Sequence, residues 1–313
     1  MVNQKKIPIT CPCSKKIPLK KIGNKYICKN FKCEHNKKIN GFKTYLSKPI
    51  IISEIKTDTL FSQNSIKSKI DRSFEKYDKL KKIIIGESKI TKKNCDIFIK
   101  KVFKLNNKPK ILVIGGAQKG LGTNKLWDNN SLEIHSLDIY HTGNVDVICD
   151  CHYLCLKSNF YDGVWIQAVL EHVVEPRLVV KEINRVLKLN GIVYAETPFM
   201  QQVHEGAYDF NRFTVLGHRY LFRDFSLISI GGKDGPEVVF CWSLRYLIWS
   251  IFRTKSIAKF LSLIIGLVFK PLKLIINKKS LYDASSGVYF LGEKVKSNKL
   301  SHKDLIKLYK GQF

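Results

Sequence analysis

From Lys108 onward the sequence predicts an α/β domain built on a largely parallel sheet covered by helices, and three observations carry that expectation. Short apolar runs alternate with segments whose apolar residues recur at helical spacing, the order of elements that a parallel sheet requires. The first run ends in a glycine-rich turn, Gly115-Gly116 followed by Gly120 and Gly122. The second ends in an acid, Asp138, 23 positions beyond Gly115.

Taken in order, the strands are expected at residues 110–114, 132–138, 145–149, 163–167 and 192–197. Between the last two lies the clearest helix, with Pro176 near its start and Leu178, Val179, Ile183, Val186 and Leu187 on one face. Asn190-Gly191 is expected to close it. Beyond Thr214 the pattern gives another helix, a strand at 225–230, two apolar helices inside an insertion at about 236–280, and a last strand at 287–292. The whole reads as a Rossmann-like, seven-stranded sheet with a helical insertion before its last strand.

The glycine turn lets a backbone approach a ligand closely, and Asp138 stands where a carboxylate can accept the ribose hydroxyls of an adenosine. These two features alone suit NAD as well as S-adenosylmethionine (SAM). Asp150 after the third strand, Phe160-Tyr161-Asp162-Gly163-Val164, Leu170-Glu171-His172-Val173 and Arg185-Val186-Leu187-Lys188-Leu189-Asn190-Gly191 shift the balance. On these residues the chain resembles class I SAM-dependent methyltransferases of the type 11 family, a broad group that includes ubiquinone-biosynthesis enzymes. The resemblance implies SAM as cofactor, held at Gly115, Gly116, Gly120, Asp138, Asp150, Cys151, Gln167 and Ala168, with Asp150 toward the adenine amino group. Two departures are visible: Val113 stands where the first strand often carries an acid, and residues 116–120 are not the usual Gly-x-Gly-x-Gly. His172 is read as a packed or capping residue.

After the fifth strand, residues 198–214 carry many polar groups for a plain connection. His204, Asp209, Phe210, Arg212, Phe213 and Thr214 resemble a narrower branch of these methyltransferases, associated with bacterial surface-polysaccharide synthesis. The catalytic set implied is His204 as base, Asp209 orienting it or binding sugar hydroxyls, and Arg212 holding an anionic group or Asp209 itself. A structural Asp209–Arg212 ion pair is the plain alternative.

The start of the chain, residues 1–52, places Cys11, Cys13, Cys28 and Cys33 around a short span containing Gly23, as in a zinc ribbon, with His35 as a reserve ligand. Residues 39–46 resemble the strand that ends such ribbons. Residues 53–107 read as a lysine-rich helical connector, with Ile70, Phe74, Tyr77 and Leu80 at helical spacing, and residues 108–313 as the methyltransferase domain.

Lys and Arg number 54 against 26 Asp and Glu, a formal charge of +28, which favours anionic partners. The first ten residues lack the apolar core of a secretory leader, so the protein is expected in the cytoplasm, with the nine cysteines reduced. The apolar run at 260–269 is too short to span a bilayer, which takes ~20 residues. It suits either an interfacial helix, with Arg253, Lys255, Lys259, Lys270, Lys273, Lys278 and Lys279 toward acidic lipids of the inner membrane face, or a cap over the site. Three functions therefore stay open: O-methylation of a sugar on a cell-surface or lipid-linked glycan, methylation of RNA, and SAM binding without catalysis.

Overall fold

The structure is a computed structural model, and it describes residues 6–13, 15–30, 32–53, 55, 88–297 and 300–312. The helical expectation at Ile70, Phe74, Tyr77 and Leu80 lies outside them. In chain order the strands are β1 (Leu19–Ile22), β2 (Lys25–Cys28), β3 (Phe42–Tyr45), β4 (Lys48–Ile51), β5 (Lys110–Ile114), β6 (Glu133–Asp138), β7 (Val147–Cys149), β8 (Tyr161–Gln167), β9 (Leu187–Pro198), β10 (Phe225–Gly232) and β11 (Gly287–Lys294). The helices are α1 (Glu34–Ile39), α2 (Lys89–Leu105), α3 (Asn124–Trp127), α4 (Pro176–Val186), α5 (Val215–Leu221), α6 (Pro236–Phe252), α7 (Lys255–Phe269), α8 (Ser280–Asp283) and α9 (His302–Lys307).

β5 shows why the sheet forms. Its side chains alternate, so Leu112 and Ile114 enter one core layer while Ile111 and Val113 enter the other. Both faces are therefore covered. On the first face α4 packs Val179, Val180, Ile183 and Val186 against Val164, Ile166, Val193 and Ala195. On the second, α2 packs Cys95, Phe98 and Val102 against Trp165 and Tyr194, whose rings stack at 4.0 Å. Gly163 allows that approach, because a Cβ there would lie 2.6 Å from the Phe98 ring.

The strand order is β1-β2-β3-β4-β7-β6-β5-β8-β9-β11-β10. From β7 to β9 neighbours run parallel, and β11 enters antiparallel between β9 and β10. This is the Rossmann-like arrangement, with chain direction switching beside β5, where ligands bind at the carboxyl ends of strands. Among the described residues the sheet has eleven strands where seven were expected, the additional four being β1 to β4. β4 pairs in parallel with β7, Ile50 opposite Ile148, so the cysteine-bearing start of the chain extends the sheet instead of standing apart from it. Ile51, Val147 and Cys149 share one core with Cys11, Cys28 and Cys33.

Two expected boundaries also move. α4 ends at Val186 and Leu187 is already extended, so Asn190-Gly191 lies within β9 and does not close the helix. Ile39 belongs to α1, and the strand expected at 39–46 begins only at Phe42.

Candidate active site

Four loops at the carboxyl edge of the sheet make the cofactor side. Gly115 and Gly116 both donate their backbone N–H to Leu137 O at 3.0 Å, which folds the turn after β5 across the end of β6. Gly115 has φ +79° and a Cβ there would lie 2.2 Å from Val169, so neither the backbone nor the space admits a side chain. Asp138, at the end of β6, accepts from Ala117 N at 3.0 Å through Oδ2 and from Tyr140 N at 3.1 Å through Oδ1.

After β7, Asp150 is buried, and its Oδ1 accepts from His152 N (2.9 Å) and His152 Nδ1 (2.7 Å). The Glu175 N–H donates to His152 Nε2 at 3.3 Å, so the ring proton sits on Nδ1 and points at Asp150. Oδ2 is left for an outside donor such as an amino group. Cys151 follows in a 3-10 turn and is buried in the core, where burial pushes its thiol well up. After β8, Gln167 reaches Leu121 O at 3.3 Å and Glu196 Oε1 at 3.1 Å, and Ala168 takes φ +53°, an unfavourable value for a residue with a Cβ.

Beneath this edge lies a buried network. Glu196 on β9 accepts from Thr91 Oγ1 (2.7 Å), Tyr194 OH (2.6 Å), Gln167 Nε2 and Lys233 Nζ (2.7 Å). Burial alone would raise its carboxyl, but the Lys233 charge and these donors outweigh that and hold it below the usual range. No motif pointed to this network. Its one signal is a lone acid in the apolar run 192–197.

The acceptor side is the loop from β9 to α5 folded over the 3-10 turn Leu170–His172. Phe210 N donates to Glu171 O at 2.7 Å and Asn211 Nδ2 to Val173 O at 2.6 Å, which pins the two segments together. His204 stands between two acids: its Nδ1 lies 3.4 Å from Asp209 Oδ2 and its Nε2 3.5 Å from Glu171 Oε1. Asp209 Oδ2 also accepts from the His204 backbone N–H at 2.9 Å. Arg212 grips Asp209 with both terminal nitrogens. Burial works to raise the Asp209 carboxyl, and Arg212 with the His204 N–H more than offsets it, leaving it lowered. Thr214 caps α5 through its hydroxyl, which accepts from Gly217 N.

Glu171 and His172, left out of the site by the sequence reading, join it here. His172 meets His204 edge-on, ring centroids 4.8 Å apart, and Glu205 takes the left-handed conformation (φ +58°) beside them. The Leu170-Glu171-His172-Val173 run was the available signal.

Residues 116–195 match the family model described as Methyltransferase domain. The matched stretch runs from the glycine turn after β5 into β9. No curated protein matches the sequence. Among solved structures, the chain is similar to a putative sarcosine dimethylglycine methyltransferase from Galdieria sulphuraria, at 16% identity over 71% of this chain and 90% of that one, TM-score 0.44. It is similar to a SAM-dependent methyltransferase from Archaeoglobus fulgidus at 14% identity over 70% and 99%, TM-score 0.43. A third is Haemonchus contortus phosphoethanolamine N-methyltransferase 2 in complex with SAM, at 15% identity over 65% and 53%, TM-score 0.40.

The cradle suits the SAM that the sequence resemblance implies: a backbone turn that admits no Cβ, Asp138 at the end of β6, and Asp150 with one oxygen unengaged.

The amino-terminal cysteines also converge. The Sγ atoms of Cys11, Cys13, Cys28 and Cys33 all lie within 4.8 Å of one another, and Cys11 and Cys33 are 3.6 Å apart. Four ligands at the ~2.3 Å of a zinc–thiolate bond are separated by ~3.8 Å in a tetrahedron, so the donor set suits zinc. Asn36 holds one side of the cluster, accepting from Cys28 N at 3.1 Å and donating to Cys28 O and Asn30 O. His35 Nδ1 stands 3.7 Å from Cys33 Sγ while its Nε2 is 2.7 Å from Ser53 Oγ.

Proposed function

We propose that the protein transfers a methyl group from SAM to a sugar hydroxyl on a lipid-linked glycan at an acidic membrane surface, with zinc in the cysteine cluster as a structural element. The observation that carries this reading is the acceptor side, where Glu171, His172, His204 and Asp209 gather beside the cofactor loops. A sulfonium methyl is already activated, so the protein's work is to align the acceptor oxygen behind it and to help that oxygen lose its proton. A nucleophile that is already deprotonated needs no such base.

The membrane element rests on α6 and α7. Among the described residues no helix is long and apolar enough to cross a membrane. Yet Ile251, Phe260, Val268, Leu274 and Ile275 are exposed, the last two at 89% and 79%. Arg253, Lys255, Lys278 and Lys279 are exposed beside them, and the sequence has no acid between Glu237 and Asp283. An apolar face ringed by cations without acids complements anionic headgroups. This face is joined to the acceptor loop, since Tyr246 OH donates to Val203 O at 2.9 Å and Gln202 Nε2 to Ser243 Oγ at 2.9 Å. A lipid-anchored acceptor would thereby be presented to the cluster.

Mass spectrometry of surface glycans from cells with and without the gene tests the reading. Loss of a 14-Da methyl increment, about one CH₂ in mass, is expected on deletion; unchanged glycans with a methyl lost from RNA would replace it with the RNA reading.

A further inference from the structure

We propose that Glu171, His172 and His204 bind a divalent first-row metal cation at the acceptor side. Their donor atoms lie within 4.8 Å of one another. Glu171 Oε1 is 3.6 Å from His172 Nε2 and 3.5 Å from His204 Nε2. Both distances are too long for hydrogen bonds. They match the edge of a tetrahedral sphere with bonds of ~2.1 Å, which is ~3.4 Å.

The state of each group points the same way. Glu171 is fully buried, and neither carboxylate oxygen has a hydrogen-bond partner. A buried carboxylate without donors is costly, and a cation removes that cost. His172 Nδ1 lies 2.6 Å from Tyr208 O. A carbonyl only accepts, so Nδ1 carries the proton and the lone pair of the neutral ring is on Nε2, aimed at Glu171. His204 also turns its Nε2 toward Glu171, and its Nδ1 lies 3.4 Å from Asp209 Oδ2 without a hydrogen bond. Two ring nitrogens and a carboxylate oxygen facing one another make a donor set that a cation would satisfy. A histidine ligand held from behind by a carbonyl, as His172 is by Tyr208, is the usual support of a metal site.

Two imidazoles and one carboxylate suit zinc, iron(II), cobalt(II) or manganese(II) and leave positions open. An acceptor hydroxyl coordinated there would be acidified and would release its proton to water. That use rests on the hydroxyl-acceptor reading; the site itself does not.

Cobalt(II) is the probe. The full chain is titrated with cobalt beside Glu171→Gln and His172→Ala, and uptake and visible absorption are compared. The wild type is expected to take up one cobalt per chain more than either variant, with added ligand-field bands and no added thiolate charge transfer. Affinity at that equivalent should fall at least about tenfold in the variants. Unaltered binding of S-adenosylhomocysteine shows that each variant is folded. Equal stoichiometry and spectra in all three overturn the site. Cobalt bound as expected without methyl transfer to any glycan would overturn the acceptor reading and leave the site standing.

Discussion

Lys233 Nζ lies 2.7 Å from Glu196 Oε1, joining the end of β10 to β9 beneath the cofactor loops. The acid is nearly fully buried, while the lysine side chain keeps about a fifth of its surface in solvent. Removing one partner of a buried pair strands the other charge. Lys233→Met is therefore expected to destabilise the fold by about 3 kcal/mol, the low end for a buried pair because the lysine is partly solvated. Urea unfolding measures it, and a loss below about 0.5 kcal/mol would mean that the hydrogen-bond donors alone support Glu196.

The same pair sets a pH dependence. The folded Glu196 carboxyl is held below its usual range, so its contribution is complete above the unfolded pKa and is lost as pH falls through the folded one. Stability of the wild type should drop on acidification below about pH 4, and Lys233→Met should flatten that drop. Identical acid profiles would remove Lys233 as the cause.

The strands that bury both faces were legible because β5 carries the continuous apolar run Ile111 to Ile114 and β8 the run Val164 to Ile166, each with no competing helical period. The extension of the sheet to eleven strands was not. Lys48–Ile51 is a short segment whose partner, β7, lies almost a hundred positions away, and no local signal encodes such a pairing. Asn190-Gly191 misled for a related reason: β9 begins at Leu187, and its sheet partners override a local helix-closing pattern. At the site, Asp138 and the glycine turn could be read because spacing along one strand–turn unit places them. The run Leu170 to Val173 flagged the position of Glu171 but not its character, which comes from what surrounds it, two imidazoles and no donor. The Glu196–Lys233 pair likewise exists only in three dimensions.

Asp138 should anchor the ribose. Asp138→Ala is expected to weaken S-adenosylhomocysteine binding by ~1–3 kcal/mol in calorimetry, through loss of charge-assisted hydrogen bonds. The substitution also frees the Ala117 and Tyr140 N–H groups, so Asp138→Asn, which keeps one acceptor, should lose less. Affinity unchanged in both variants would take Asp138 out of the cofactor site.

Zinc in the cysteine cluster predicts a thiolate signature. Protein refolded with cobalt should show thiolate-to-cobalt charge transfer, and Cys28→Ser should weaken it and loosen the β1–β2 hairpin. Absence of the band in the wild type would leave four reduced thiols in a metal-free core.

The apolar hairpin predicts sedimentation with vesicles rich in anionic lipid and not with neutral ones. Replacing Leu274 and Ile275 by serine should lower partitioning about tenfold, and replacing Lys278 and Lys279 by glutamate should remove the lipid-charge dependence. Concentration-dependent dimerisation abolished by the serine variants, without vesicle binding, would assign this face to a second copy of the chain.

If His204 drives methyl transfer to a membrane-held glycan, the product itself should show it. The most direct test is incubation of the purified protein with methyl-labelled SAM and a membrane fraction carrying the cell's lipid-linked glycans, followed by separation of lipid, glycan and RNA. The account predicts label in the glycan at a sugar oxygen, reduced ~100-fold or more by His204→Ala while S-adenosylhomocysteine affinity stays the same. Label confined to RNA, or equal labelling of glycan by the wild type and His204→Ala, would contradict it.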